Sequence, residues 1–132
     1  MTRREREKGR VRKKMLAALS LYHLKHAKRR WHLENLTQVH HIIPLEFRQR
    51  EVLADYDMDT GHNLMLMPNK EGKEVLRTDR AVHDGGHPFY NVYVGSRLRQ
   101  LEKVNGRERQ ERVRLLAAEL RARIRENDVP WN

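Results

Sequence analysis

Two short apolar runs and three longer periodic stretches give the chain its outline. Residues 37–43, Thr-Gln-Val-His-His-Ile-Ile, are rich in β-branched side chains and stop at Pro44, which predicts a strand with a hard end. Residues 63–67, Asn-Leu-Met-Leu-Met, stop at Pro68 and predict a second strand. Helical spacing appears in residues 15–33, through Met15, Leu16, Leu19, Tyr22 and His23. It returns after Pro88, where Tyr90, Val94, Leu98 and Leu101 form a stripe that ends at Asn105-Gly106. A last helix is expected over residues 107–126, with Val113, Leu116, Ala117, Leu120 and Ile124 inward and Arg109, Arg112, Glu119 and Arg123 outward. Between the strands, residues 45–55 predict one short helix carrying Leu45, Val52 and Leu53, followed by a turn at Asp57-Met58-Asp59-Thr60-Gly61. Residues 70–82 predict a further helix. The fold class is therefore α+β and mostly helical, with two strands.

Charge adds a division along the chain. Of 132 residues, 28 are Lys or Arg and 18 Asp or Glu, a net charge of +10. Residues 1–30 hold 12 of the basic side chains against only Glu5 and Glu7, so the whole excess lies there. A polyanion partner, of which nucleic acid is the commonest, is one reading, and a solvated extension is the other. Residues 1–35 thus form a basic extension with a helix, 36–101 a core, and 102–132 a C-terminal amphipathic helix that packs on it. No apolar run approaches the length that crosses a bilayer, so no membrane partner is expected. Without cysteine, any metal must be held by His, carboxylates, carbonyls or water.

Histidine supplies the candidate chemistry. Five of the 8 histidines fall between residues 40 and 87: His40, His41, His62, His83 and His87. Imidazole both moves protons near neutral pH and binds divalent metals. His40 and His41 point to opposite faces if the strand continues, or fan around one site if it ends there. His83 and His87 would share a face of a helix, but Gly85-Gly86 makes a tight turn the expected carrier. Asp84 is placed either beside a metal-binding histidine or simply in that turn, and His62 in an exposed turn. Lys70, Lys73, Arg77 and Arg80 can follow a nucleic-acid backbone or line a solvated helix face. Tyr90, Trp31 and Trp131 are expected to anchor packing.

The order His40-His41-Ile42-Ile43-Pro44, then Asn63-Leu64-x-Leu66-x-Pro68, then His83-Asp84-Gly85-Gly86-His87-Pro88-x-Tyr90 resembles the HNH/endonuclease VII superfamily, and within it the AHH-type nucleases. The resemblance covers about residues 36–101, with Val39 where that group usually has Ala. It implies a ββα-metal core with flanking helices, and a metal-dependent endonuclease that cuts DNA with low sequence specificity. It implies His41 as the general base, Asn63 as the residue that braces the loop or orients the base, and His40, His83 and His87 as metal ligands. Zn²⁺ or Mg²⁺ is the implied cofactor, and three imidazoles favour Zn²⁺ or another first-row ion. The AHH group is known chiefly as toxin domains, which implies a cognate immunity protein as a partner and delivery to a cytoplasmic site of action. A standalone nuclease stays equally open. An RNase on the same scaffold and a basic nucleic-acid-binding protein with a structural zinc are the competing readings.

Overall fold

A computed structural model describes residues 2–4, 26, 28–83 and 86–131. Most of the helix expected over residues 15–33 lies outside the described residues, as does Asp84.

Strand β1 (Thr37–His41) pairs antiparallel with β2 (Leu64–Pro68), in a register that sets Thr37 opposite Pro68, His40 opposite Met65 and His41 opposite Leu64. One further bond, Ile42 N–H to Asn63 O at 2.7 Å, extends the pairing past β1. That bond fixes the phase of the ladder, so the carbonyls of Leu64, Leu66 and Pro68 face away from β1. Each of them meets a donor. Arg121 Nη2 reaches Leu64 O at 3.0 Å, Arg80 Nη1 reaches Leu66 O at 3.4 Å, and His83 N–H reaches Pro68 O at 2.8 Å. On the other side, Lys28 Nζ donates to Thr37 O at 2.8 Å.

The segment expected to be one helix over residues 45–55 is instead two single 3₁₀ turns, Leu45–Phe47 and Glu51–Leu53. Arg50 is extended (φ −70°, ψ 137°) and breaks the run. The break lets Phe47, Val52 and Leu53 all reach the core, which a continuous helix of this length would not allow, while Leu45 is left exposed. The Phe47 ring lies against Gly95, where an added Cβ would come within 3.1 Å of it.

Helix α1 (Lys70–Val75) is shorter than the predicted 70–82. It starts at Asn69, whose side chain accepts from Gly72 N–H at 2.7 Å and donates to Asn35 O at 2.7 Å. It stops because Arg77 takes a left-handed conformation (φ 49°) and the chain then runs back toward β2, where His83 N–H docks on Pro68. Helical periodicity in 76–82 loses to these long-range bonds.

Helix α2 (Pro88–Leu101) begins on Pro88, as expected, with His87 at its N-cap position and Tyr90, Val94 and Leu98 buried. Helix α3 (Gly106–Arg125) buries the five expected residues, Val113, Leu116, Ala117, Leu120 and Ile124. It packs on the Glu51–Leu53 and Gly61–Asn63 turns and on α2. A fully buried aliphatic side chain contributes roughly 1.5–3 kcal/mol, so this stripe is a principal cement of the fold. Arg121, half-buried on α3, also donates to Gly61 O, and loss of solvation pulls its guanidinium down to about 10. The fold is α+β, with a two-stranded sheet as the expected frame. No helix among the described residues is long and apolar enough to cross a membrane.

Candidate metal centre and active site

The end of β1, the segment after α1 and the start of α2 meet beside the sheet. Each brings a histidine. One ligand atom from each of His40, His83 and His87 lies within 4.8 Å of the others. The ring centroids are 5.2 Å apart for His40–His83, 5.0 Å for His40–His87 and 5.1 Å for His83–His87. Three of the four histidines expected to converge therefore share one cluster. The covalent spacing explains this poorly, since His83 arrives through Pro68 and His87 through the first turn of α2.

Hydrogen bonding assigns a direction to two of the rings. His83 Nδ1 bonds Gln38 Oε1 at 2.8 Å, and His87 Nδ1 bonds Asn91 Oδ1 at 2.8 Å. An amide oxygen only accepts, so each Nδ1 carries the proton and each Nε2 keeps its lone pair. His40 is 1% exposed, and neither of its ring nitrogens has a hydrogen-bond partner. A buried nitrogen without a partner is costly, and a metal ion satisfies it. Burial holds the His40 pKa well below 6.5, and the neighbouring His87, His83 and His41 push it the same way. His83 is lowered too, first by burial and then by His87. Neutral imidazoles are the form that binds a cation. The donor set fits a divalent metal ion.

His41 is the next residue on β1, at its end. Its ring is 16% exposed, and Nε2 bonds Asp59 Oδ1 at 2.8 Å. It is close enough to the cluster to act electrostatically on both His40 and His83. With Asp59 holding Nε2–H, Nδ1 is the nitrogen left to accept a proton. Asp59 stands in the expected turn, where its N–H bonds Asp57 Oδ1 at 2.9 Å. Sequence reasoning took this segment for a turn and missed the partner of His41. Two aspartates flanking one methionine were the available signal.

Asn63 is 0% exposed and works as a clamp. Its Oδ1 accepts from Ile43 N–H at 2.8 Å and from Tyr56 O–H at 3.1 Å. Its Nδ2 donates to Ile43 O at 3.2 Å and Met58 O at 3.0 Å. It thus ties the backbone just past His41 to the turn that carries Asp59.

Two aromatic residues complete the walls. Tyr90 is fully buried, donates to Ile42 O and packs edge-on against His40 and His87. The Trp131 indole lies against His40, His83 and His87, with centroids at 5.2, 6.1 and 4.9 Å. Its place in this cluster was not legible in the sequence. Of the expected backbone contacts, Lys70, Lys73 and Arg77 are exposed, whereas Arg80 is half-buried and donates to Leu66 O. Lys73 and Trp131 line one shallow cavity with Asp79 and Asn127. His62 is exposed in the Gly61–Asn63 turn.

An α+β frame that delivers three imidazoles to one point, with a fourth on the next residue of β1, is compatible with a metal-dependent hydrolase. The family model of AHH, a nuclease family of the HNH/ENDO VII superfamily with conserved AHH, matches residues 21–126, and the chain belongs to that family. The match reaches well past residues 36–101 on both sides, into the segment before β1 and through α3. No curated protein and no solved structure matches the chain. The protein is thus a nuclease, and its substrate is nucleic acid.

Proposed function

We propose that this nuclease is an endonuclease that hydrolyses DNA phosphodiester bonds, with His41 as general base and His40, His83 and His87 as ligands of a divalent cation. The observation that carries this reading is the buried, unpartnered His40 ring beside two imidazoles whose Nδ1 atoms are already held by amide oxygens. When bound, the cation supplies Lewis-acid stabilisation of charge on the phosphoryl and leaving oxygens. Zn²⁺ or another first-row ion suits three imidazoles, and Mg²⁺ is the alternative to be compared.

His41 accepts the proton of the attacking water at Nδ1, while Asp59 holds Nε2–H and keeps the ring in that tautomer. General-base assistance of this kind is typically worth 10²–10⁴-fold. Asn63 keeps the end of β1 and the Asp59 turn in register, so it is a positioning residue. Lys70, Lys73 and Arg77 offer exposed cations for the phosphate chain, with Arg80 as a partly engaged fourth. Contacts of this kind bind without reading bases, which fits low sequence specificity. A toxin role with an immunity protein as partner follows from the family resemblance alone.

The test is plasmid nicking with the chelator EDTA and metal add-back, run in parallel on duplex DNA, single-stranded DNA and RNA. The expected result is chelator-sensitive nicking that His41→Ala abolishes while metal uptake and fold persist. Cleavage of RNA alone would replace DNA as substrate. Loss of fold together with metal in His40→Ala, and no cleavage by the wild type, would make the site a structural zinc centre.

A further inference from the structure

The segment that follows α3 lies beyond the family match, yet it reaches the histidine cluster. It turns at Asn127, which adopts a left-handed conformation (φ 55°) that Asn tolerates well. Asp128 N–H then caps α3 on Arg123 O at 2.8 Å. The Asn127 side chain grips the segment that carries His83. Its Oδ1 accepts from Ala81 N–H at 3.1 Å, and its Nδ2 donates to Asp79 O at 2.6 Å. At the residue just before His83 the same grip continues, because Trp131 Nε1 donates to Val82 O at 2.9 Å. Trp131 also touches the other side of the site. Its carbonyl accepts from Tyr90 N–H at 3.4 Å in the first turn of α2, and its indole packs on Tyr90 at 5.3 Å between centroids.

We propose that Asn127 and Trp131 are positioning residues of the metal centre, a clasp that holds the His83 segment against the His87 end of α2. The inference rests on the metal-binding reading of the cluster. His83 stands outside any helix or strand, so its position depends on tertiary bonds. Before β1 and β2 are considered, residues 79–82 have three bonds to this clasp, two from Asn127 and one from Trp131. The Trp131 indole also packs against all three rings, tilted by 57° to His40 and 42° to His87 and edge-on to His83. A ligand set held in place before the ion arrives binds it more tightly than one that must be ordered on binding. Groups that orient ligands from outside the coordination shell typically change metal affinity ~10–100-fold.

The experiment measures Zn²⁺ affinity of the full chain by competition with a chromophoric chelator, for the wild type, Trp131→Ala, Trp131→Phe and Asn127→Ala. Exposed Leu115→Ala serves as the control. Visible spectra of the Co²⁺-loaded forms report the coordination itself, and melting of the metal-free forms reports the fold. The expected result is affinity at least ~10-fold weaker in Trp131→Ala and Asn127→Ala, an intermediate loss in Trp131→Phe, and an altered cobalt spectrum in Trp131→Ala. Asn127→Ala keeps the indole, so it tests the clasp even if Trp131→Ala does not fold. Wild-type binding that both variants match, or a loss that only mirrors their lower folded fraction, overturns the clasp alone. No Zn²⁺ or Co²⁺ uptake by the folded wild type overturns the metal reading and the clasp with it.

Discussion

Removing the Asn63 side chain should unfasten the two segments that hold His41. In Asn63→Ala four groups lose a partner: Ile43 N–H, Ile43 C=O, Met58 C=O and Tyr56 O–H. Tyr56 and Met58 are only half-buried and can turn to water. Ile43 is 0% exposed, so its two backbone groups have no such exit. A buried unsatisfied group costs about 1–3 kcal/mol, which places the penalty at about 2–6 kcal/mol. A value near the middle, about 4 kcal/mol, is at the upper end for a single substitution and a large part of the 5–15 kcal/mol that holds a typical domain. Urea unfolding followed by far-UV circular dichroism measures it, and the thermal midpoint should fall by more than about 10 °C. Asn63→Asp refines the test. It keeps the size and the acceptor toward Ile43 N–H, but sets a carboxylate against two carbonyls. Its deficit relative to wild type should shrink as the pH falls and the carboxyl gains a donor proton. A cost below about 1 kcal/mol for Asn63→Ala would refute the clamp. So would lost cleavage at unchanged stability, which would put Asn63 in the chemistry instead.

Gly72→Ala should destabilise, although alanine in a helix ordinarily gains about 1 kcal/mol over glycine. The new Cβ would lie 1.8 Å from Leu36 O, a backbone atom, and overpacking of this kind costs about 1–3 kcal/mol in the same unfolding assay. A more stable variant would show that the contact between α1 and the Leu36 backbone is loose. Asp59→Ala should lower kcat at least about tenfold with metal affinity unchanged, and Asp59→Asn should recover part of it because its amide oxygen can still accept Nε2–H. Equal kcat in all three proteins would remove Asp59 from the mechanism. The metal-free protein should also weaken in mild acid. The folded-state pKa values of His40 and His83 lie below the ordinary 6.5, so between those values the unfolded chain holds more protons. Stability is then full above about pH 6.5 and falls as the pH drops below it, by about 1.4 kcal/mol per unit for each whole proton difference. Urea midpoints at pH 7.5 and 5.5 with chelator present check the sign, and a higher midpoint at 5.5 would contradict it.

How much could be read from the residues depended on whether neighbours in sequence or neighbours in space decided the outcome. β2 ends at Pro68, because proline acts on its own backbone, whereas β1 stops at His41, two residues short of the expected 43. The stripes of α2 and α3 were legible because one helix face meets one core. The 45–55 segment was not, since Phe47 is buried by Gly95 on α2, some fifty residues away. Nor was the end of α1, which depends on His83 docking on Pro68 and on Asn127 gripping Asp79 and Ala81. The three clustered histidines could be grouped through the order of motifs, not through spacing. Asp59, Gln38 and Trp131 are each brought to a histidine only by the tertiary fold, whereas Asn91 lies one helical turn from His87. A polar residue in a turn or a tryptophan beyond the last helix carries no local mark of such a role.

The outward carbonyls of β2 have a consequence for what the sheet can become. An exposed strand edge invites another chain to add itself, and small sheets are vulnerable to this. Here two guanidinium groups and the backbone of His83 already occupy the three acceptors that an incoming strand would need. Recruitment on that side would strip Arg121 and Arg80 of their bonds and pull His83 off its anchor. The features that keep the sheet at two strands therefore also guard the cluster, and at high concentration self-association through β2 is closed to this protein unless its histidine centre first comes apart.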